Sequence, residues 1–181
     1  MFESTKKVHL QKTTDMETHA LFAEKQRFNQ WWIWVILLSV NAVMIYGLVQ
    51  QIVFKKPFGD NPTSDGGIIF GAFMCSLILA VFLSFRLETR IYKGGIAVRF
   101  FPLQLKTRYF AFEDIASMEI RQYKPIMEYG GWGIRGFGSN RALNVRGKVG
   151  LQLIFKNGQK LLIGTQKGEA IEKILTPFKN K

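Results

Sequence analysis

From Phe28 to Phe54 the chain carries no charged residue, and the greater part of that stretch, Trp31–Phe54, reads WWIWVILLSVNAVMIYGLVQQIVF. A second charge-free run, Gly66–Phe85, reads GGIIFGAFMCSLILAVFLSF and lies between Asp65 and Arg86. About 20 apolar residues in a helix cross a hydrocarbon core ~30 Å thick. The second run just meets that length; the first exceeds it and is accommodated by tilt. A pair of helices apolar all round is too much surface for the soluble part that follows to bury. A secretory leader does not fit either, because the first run is about twice the length of a 7–15 residue apolar leader segment and follows a polar tail. Trp31, Trp32 and Trp34 gather at one end of it, where amphipathic rings favour the headgroup region, and Lys55 and Lys56 snorkel at the other. The expectation is an α+β membrane protein: a tail over residues 1–27, a transmembrane α-helical hairpin over 28–87 with spans at about 31–54 and 66–86, and a soluble domain over 88–181.

Charge decides the orientation expected of that hairpin. The net charge is +12; residues 1–85 hold 7 basic and 6 acidic side chains, whereas residues 86–181 hold 18 and 7. The connector Lys55–Asp65 balances two Lys against two Asp, while Lys25 and Arg27 precede the first span and Arg86, Arg90, Lys93 and Arg99 follow the second. The positive-inside bias therefore predicts a multi-pass protein of the inner, cytoplasmic membrane with both termini in the cytoplasm. Pro57, Gly59, Asn61 and Pro62 give the connector its turn chemistry.

Small residues recur at i+4 in the second run: Gly67, Gly71 and Cys75 in one row, Ala72, Ser76, Ala80 and Ser84 in the next. Such rows let helix backbones approach closely, so Gly67, Gly71, Ser76 and Ala80 are the expected helix-packing positions, within the hairpin or between copies of the chain. Asn41 falls near mid-membrane, where a lone neutral amide bonds another helix.

Beyond Arg86 the pattern changes to short apolar and aromatic runs separated by turn signals. Leu87–Tyr92 and Ile96–Phe101 flank Lys93-Gly94-Gly95, whose glycines suit a turn at positive φ. Tyr109–Phe112 and Ile115–Gln122 flank Glu113-Asp114; Leu143–Arg146 and Val149–Phe155 follow, and Asn157-Gly158 turns the chain into Lys160–Gly164. Gly168–Phe178 then reads as one amphipathic helix with Ala170, Ile171, Ile174, Leu175 and Phe178 on a single face. Six or seven antiparallel strands capped by one helix is the element order of a pleckstrin-homology-like (PH-like) barrel.

Three segments carry a likeness to a known group: Phe112-Glu113-Asp114-Ile115, Gly131-Trp132-Gly133-Ile134-Arg135, and LQLIFKNGQKLLIGTQ over Leu151–Gln166. On these the chain resembles small bacterial two-span membrane proteins of uncharacterised function that end in a bacterial PH-like domain. The resemblance covers nearly all of it from about Phe22 onward. It implies an antiparallel PH-like barrel with one C-terminal helix, and it supplies no ligand.

Chemistry is sparse. Gly131-Trp132-Gly133-Ile134-Arg135-Gly136 matches G-x-G-x-x-G, but that fingerprint works only where a helix follows, and residues 137–150 are too polar and Gly-rich for one. A loop or bulged edge strand with Arg135 exposed is expected instead. His9 and His19 lie in the tail, and Cys75, the only cysteine, lies in the second span, so no Cys-His or Ser-His pair forms in the soluble domain. Glu113 and Asp114 are adjacent and in extended chain point to opposite faces. The sequence thus assigns no catalytic residue, cofactor or metal, and no enzyme activity.

What remains is basic surface. Arg86, Arg90, Arg135, Arg141, Arg146 and Lys148 are the candidates for contact with the membrane surface or anionic lipid, each Lys or Arg near an anionic leaflet being worth ~1 kcal/mol. The phosphoinositide motif of PH domains is incomplete, since Lys93 and Arg99 are present but Phe101 stands in place of the last Arg. The expected function is a membrane-anchored, non-enzymatic module that binds a protein partner or anionic lipid headgroups. Nucleic acid is disfavoured as a partner, and a structural homo-oligomer built on the small-residue face is the alternative.

Overall fold

Helix α1 (Trp31–Leu48) runs on through a π-helical segment (Val49–Val53), and helix α2 (Asp65–Ser84) follows a short connector, so both apolar runs become helices in the computed structural model, which describes residues 20–178. Each helical stretch, Trp31–Val53 and Asp65–Ser84, is long and apolar enough to cross a membrane, and only 11% of the most apolar part of each is buried. The core helix of a water-soluble protein hides its apolar side chains, whereas Ile36, Phe70 and Leu83 stand more than half exposed here. Ser64 caps α2, its Oγ accepting the Gly67 N–H at 3.2 Å, and Asp65 places a carboxylate at the positive end of the helix. The π-helical turn holds Gln51, whose amide donates to the Thr63 carbonyl (2.8 Å) and to Asp65 Oδ1 (2.9 Å), tying the connector down.

Residues 28–85 form one unit. The other is assembled from both flanks of that unit, up to Arg27 and from Arg86 onward. Its first sheet is a meander of β1 (Phe22–Arg27), β2 (Arg86–Tyr92), β3 (Gly95–Phe101) and β4 (Arg108–Ala111), in the order β1-β2-β3-β4. Strand β1 falls in the stretch assigned from the sequence to a tail. It pairs antiparallel with β2 from Phe22↔Ile91 to Arg27↔Arg86, so residues 28–85 are an insertion between two neighbouring strands. Its sequence, FAEKQR, hides the strand because two of the three inward side chains, Glu24 and Gln26, are polar. Both bond the end of β9 (Lys160–Gly164) or the segment that follows it: Thr165 Oγ1 donates to Glu24 Oε2 (2.6 Å), the Gln166 N–H donates to Glu24 Oε1 (2.9 Å), and the Gln26 amide donates to the Gly164 carbonyl (2.7 Å), while Gln26 Oε1 is left without a partner among the described residues.

The second sheet contains β5 (Ile115–Gln122), β6 (Gly133–Arg135), β7 (Asn140–Asn144), β8 (Val149–Phe155) and β9 (Lys160–Gly164), in the order β5-β8-β9-β7-β6. Two expectations are corrected here. The strands do not close into a barrel; they form two separate sheets. Nor is the pairing wholly antiparallel, because β7 lies parallel to β9, from Asn140↔Lys160 to Leu143↔Ile163. The hairpin β8–β9 takes the central place with Gly158 at φ +81°, so β7 can join only beyond β9, where its direction matches. A short helix α3 (Pro125–Tyr129), not foreseen, comes before β6, which is the edge strand of this sheet in the stretch read as a loop or bulged edge strand. The Gly94-Gly95 turn also differs from expectation, since neither residue has positive φ; a Cβ on Gly95 would strike the Phe110 carbonyl, so close approach of β4 is what demands glycine there.

Helix α4 (Gly168–Leu175) continues into a 3₁₀ turn (Thr176–Phe178) and packs against β5 and β8 through the fully buried Ile171 and Leu175. Leu87, Ile91, Ile96, Val98 and Phe100 of the first sheet and Leu151, Leu153, Leu162 and Ile163 of the second complete the interior. Each such side chain contributes roughly 1.5–3 kcal/mol by leaving water.

Candidate functional site

The outer face of the first sheet carries the densest charge that pairing brings together. Register partners in an antiparallel ladder share a face, and across β1, β2 and β3 they give one row of Arg27, Arg86 and Phe101 and a second of Lys25, Glu88 and Arg99. Four cations thus surround a single carboxylate. Glu88 Oε1 is shared by Arg86 Nε at 3.2 Å and Lys25 Nζ at 3.9 Å. The guanidinium carbons of Arg86 and Arg99 lie 4.4 and 5.3 Å from the centre of the Phe101 ring. Arg27 directly opposite Arg86 is a like-charge cross-strand pair, an arrangement that destabilises a sheet unless an anion lies close. The loop from Pro102 to Thr107 leaves this same end of the sheet, and Leu103 and Leu105 on it are 61% and 71% exposed.

Of the six basic residues singled out from the sequence, only Arg86 belongs to this corner. Arg90 is exposed further along β2, opposite Ala23 and Ala97. Arg135 ends β6, its Nε donating to the Trp132 carbonyl at 2.9 Å, and Arg141 is exposed on β7. Arg146 and Lys148 lie in the turn before β8, where the Arg146 carbonyl accepts from the Gln166 amide (3.0 Å). The six are therefore spread over several elements. Lys25 and Arg27 were read from the sequence as flanking charge, and Arg99 as flanking charge and part of an incomplete phosphoinositide motif; FAEKQR, polar on both faces, holds no apolar alternation to foretell their convergence with Arg86. Lys93 sits in the turn beyond Tyr92↔Gly95, at the other end of the β2–β3 hairpin from Phe101, so the partial phosphoinositide motif does not converge on one site.

Two clefts open on this unit. One, of ≈ 680 Å³, runs beside the start of α4 and is lined by Arg121, Lys148, Lys167, Glu169 and Glu172 among others; the second, of ≈ 610 Å³, has Lys93, Glu113, Ser117, Lys156 and Phe178 on its walls. Arg121 is fully engaged: it donates to Gln152 Oε1 (3.1 Å) and the Tyr129 hydroxyl (3.2 Å), and pairs with Glu128 Oε2 (2.9 Å). The Lys124 N–H donates to Glu128 Oε1 at 2.7 Å. That bond first, and Arg121 after it, hold the Glu128 carboxyl below its ordinary value. Burial pushes the phenols of Tyr123 and Tyr129 up, although the bond from the Asn144 amide to the Tyr123 hydroxyl (3.0 Å) opposes this for Tyr123. The network anchors α3 to the sheet.

Among the described residues no three His, Cys, Asp or Glu side chains lie close enough to hold a metal ion; His9 and His19 lie outside the described residues. Gly133–Arg135 of the G-x-G-x-x-G stretch is the edge strand β6, with no helix after it. Glu113 and Asp114 are exposed in a single 3₁₀ turn between β4 and β5.

Within the helical unit, Asn41 is buried. Its amide donates to the carbonyls of Leu37 and Cys75, both at 3.1 Å, and its Oδ1 accepts from Ser76 Oγ at 3.2 Å. A side chain at Gly71 would run into Met44, and one at Gly67 into Thr63. Gly67 and Gly71 thus have close neighbours inside the hairpin and Ser76, though exposed, bonds Asn41, while Ala80 is exposed on α2. Compared with known proteins, the chain matches no family model and no curated relative.

Proposed function

We propose that this protein is a membrane-anchored, non-enzymatic binding module in which the helical hairpin crosses the bilayer and the two-sheet unit, a variant of the PH-like architecture, presents its cationic corner to anionic lipid headgroups. The carrying observation is the pairing of β1 with β2. The chain leaves the sheet at Arg27 and re-enters it at Arg86, its direct register partner, so both flanks share one side, which supports two crossings over one if the helices span. The +11 balance of residues 86–181 supports the cytoplasmic side. Residues 28–30 alone separate β1 from α1, and Phe85 alone separates α2 from β2. Lys25, Arg27, Arg86 and Arg99 are therefore the soluble unit's cations that the chain tethers most closely to the spans. A negatively charged leaflet relieves the repulsion between Arg27 and Arg86 and adds ~1 kcal/mol for each cation near the surface.

The test uses the full-length chain in nanodiscs of mixed zwitterionic and anionic lipid. Lipids that stay bound on release from the disc should be enriched in the anionic species over the bulk composition, and the enrichment should fall with salt and in an R27Q/R86Q/R99Q variant. Bound lipid that mirrors the bulk composition overturns the headgroup reading. Recovery of the whole chain from membranes by alkaline carbonate without detergent overturns the anchor itself.

A further inference from the structure

Nothing in the expected function accounts for the loop between β3 and β4. Its sequence, Pro102-Leu103-Gln104-Leu105-Lys106-Thr107, sets two large aliphatic side chains in water, 61% and 71% exposed, on a unit whose other described leucines, Leu21 aside, are buried. The loop is held in shape: the Gln104 N–H donates to the Phe100 carbonyl at 2.7 Å, and Phe101, where β3 ends, lies beneath the Arg86 and Arg99 guanidiniums. Its place is fixed by register. Phe101 pairs with Arg86, and Arg86 pairs with Arg27, so the loop springs from the end of the sheet at which the chain departs for α1 and returns from α2. Lys106 and Arg108 follow the leucines directly, and Arg27, Arg86 and Arg99 lie across the adjoining strand ends.

Aliphatic tips ringed by Lys and Arg have the composition of a segment that seats its apolar side chains at the boundary of headgroups and acyl chains while its cations meet lipid phosphates. We propose that residues 102–107 form a membrane-dipping loop which inserts Leu103 and Leu105 into the anionic leaflet that the hairpin crosses. The occupant of this apolar patch is lipid rather than protein, on two grounds. Only residues 28–30 and Phe85 separate this end of the sheet from α1 and α2 in the chain, and the surrounding charge is of the sign that an anionic leaflet attracts. The proposal rests on the membrane reading of α1 and α2.

The experiment places a nitroxide at single cysteines, L103C or L105C, in the full-length chain with Cys75→Ala, reconstituted in nanodiscs of phosphatidylcholine and phosphatidylglycerol. A third site, I36C on α1, reports on the hairpin. Collisions with dissolved oxygen, which concentrates in lipid, are compared with collisions with a water-soluble nickel chelate. The expected result is that oxygen dominates at 103 and 105 as it does at 36, and that an R27Q/R86Q/R99Q background shifts the loop sites several-fold towards the nickel chelate while leaving 36 unchanged. If the chelate dominates at 103 and 105 while 36 stays shielded, the loop proposal is overturned and the anchor stands. If all three sites are open to the chelate, the membrane reading falls and the loop with it.

Discussion

Glu24 shows how one side chain changes the reading of a segment. A carboxylate in a short polar stretch ahead of an apolar run looks solvated, yet it lies 7% exposed and accepts both the Thr165 hydroxyl and the Gln166 N–H. Replacing it by Ala removes two acceptors and leaves two donors facing a buried site, a loss of roughly 1–3 kcal/mol. E24A should lower the thermal midpoint of the full chain in detergent and accelerate amide exchange at Gln166, with E24Q falling between wild type and E24A. An exchange rate at Gln166 unaltered in E24A contradicts this account. Glu128 gives a pH dependence. Its carboxyl is depressed in the folded state, mainly by the Lys124 N–H, so its contribution to stability is complete above the ordinary carboxylate range of about 4.3 and is lost as pH falls through that range to the folded value. The Lys124 amide resonance should therefore titrate below the normal glutamate range, and E128Q should abolish the titration.

At the scale of elements, the strands rich in Val, Ile and Phe were legible because β2, β3, β8 and β9 combine β-branched or aromatic residues with clear turn signals, Asn157-Gly158 above all. Helix α4 was legible from its one apolar face. Two elements were not. Strand β1 turns Glu24 and Gln26 inward and α3 spans a single helical turn, so neither carries an apolar period that sequence inspection detects; the three-residue β6 was foreseen only as one of two options, a loop or a bulged edge strand. The parallel β7–β9 pair depends on which neighbour wins the edge of β9, a non-local competition with no local signature. The pairing Arg27↔Arg86 makes a direct prediction. Joining the two by Asn-Gly in place of residues 28–85 closes β1 and β2 into a two-residue hairpin and should yield a water-soluble, cooperatively melting protein. A chain beginning at Arg86 loses β1, exposes the edge of β2 and strips Thr165 of its partner; it should melt lower and aggregate. Equal stability of the two proteins would show β1 to be dispensable.

For the whole molecule, length and composition were enough to mark residues 31–54 and 66–86 as apolar rods, because that signal is carried by every residue in the run. The candidate corner was only half legible. Arg86 stood out by its place after the second run, but Lys25, Arg27 and Arg99 join it only through a ladder between segments far apart in sequence, and Leu103 and Leu105 carry no signal of their own, because only the register shows which end of the sheet they leave. The insertion between β1 and β2 also orders events during synthesis. Strand β1 emerges from the ribosome first, yet Glu24 and Gln26 cannot meet Gly164, Thr165 and Gln166 until translation has passed both helices and nearly the entire second sheet. The nascent chain must hold six residues in waiting until then; on the membrane reading proposed above, a single crossing would strand β1 on the wrong side of the bilayer, so completion of the fold would act as a proofreading step on the number of times the chain has passed through it.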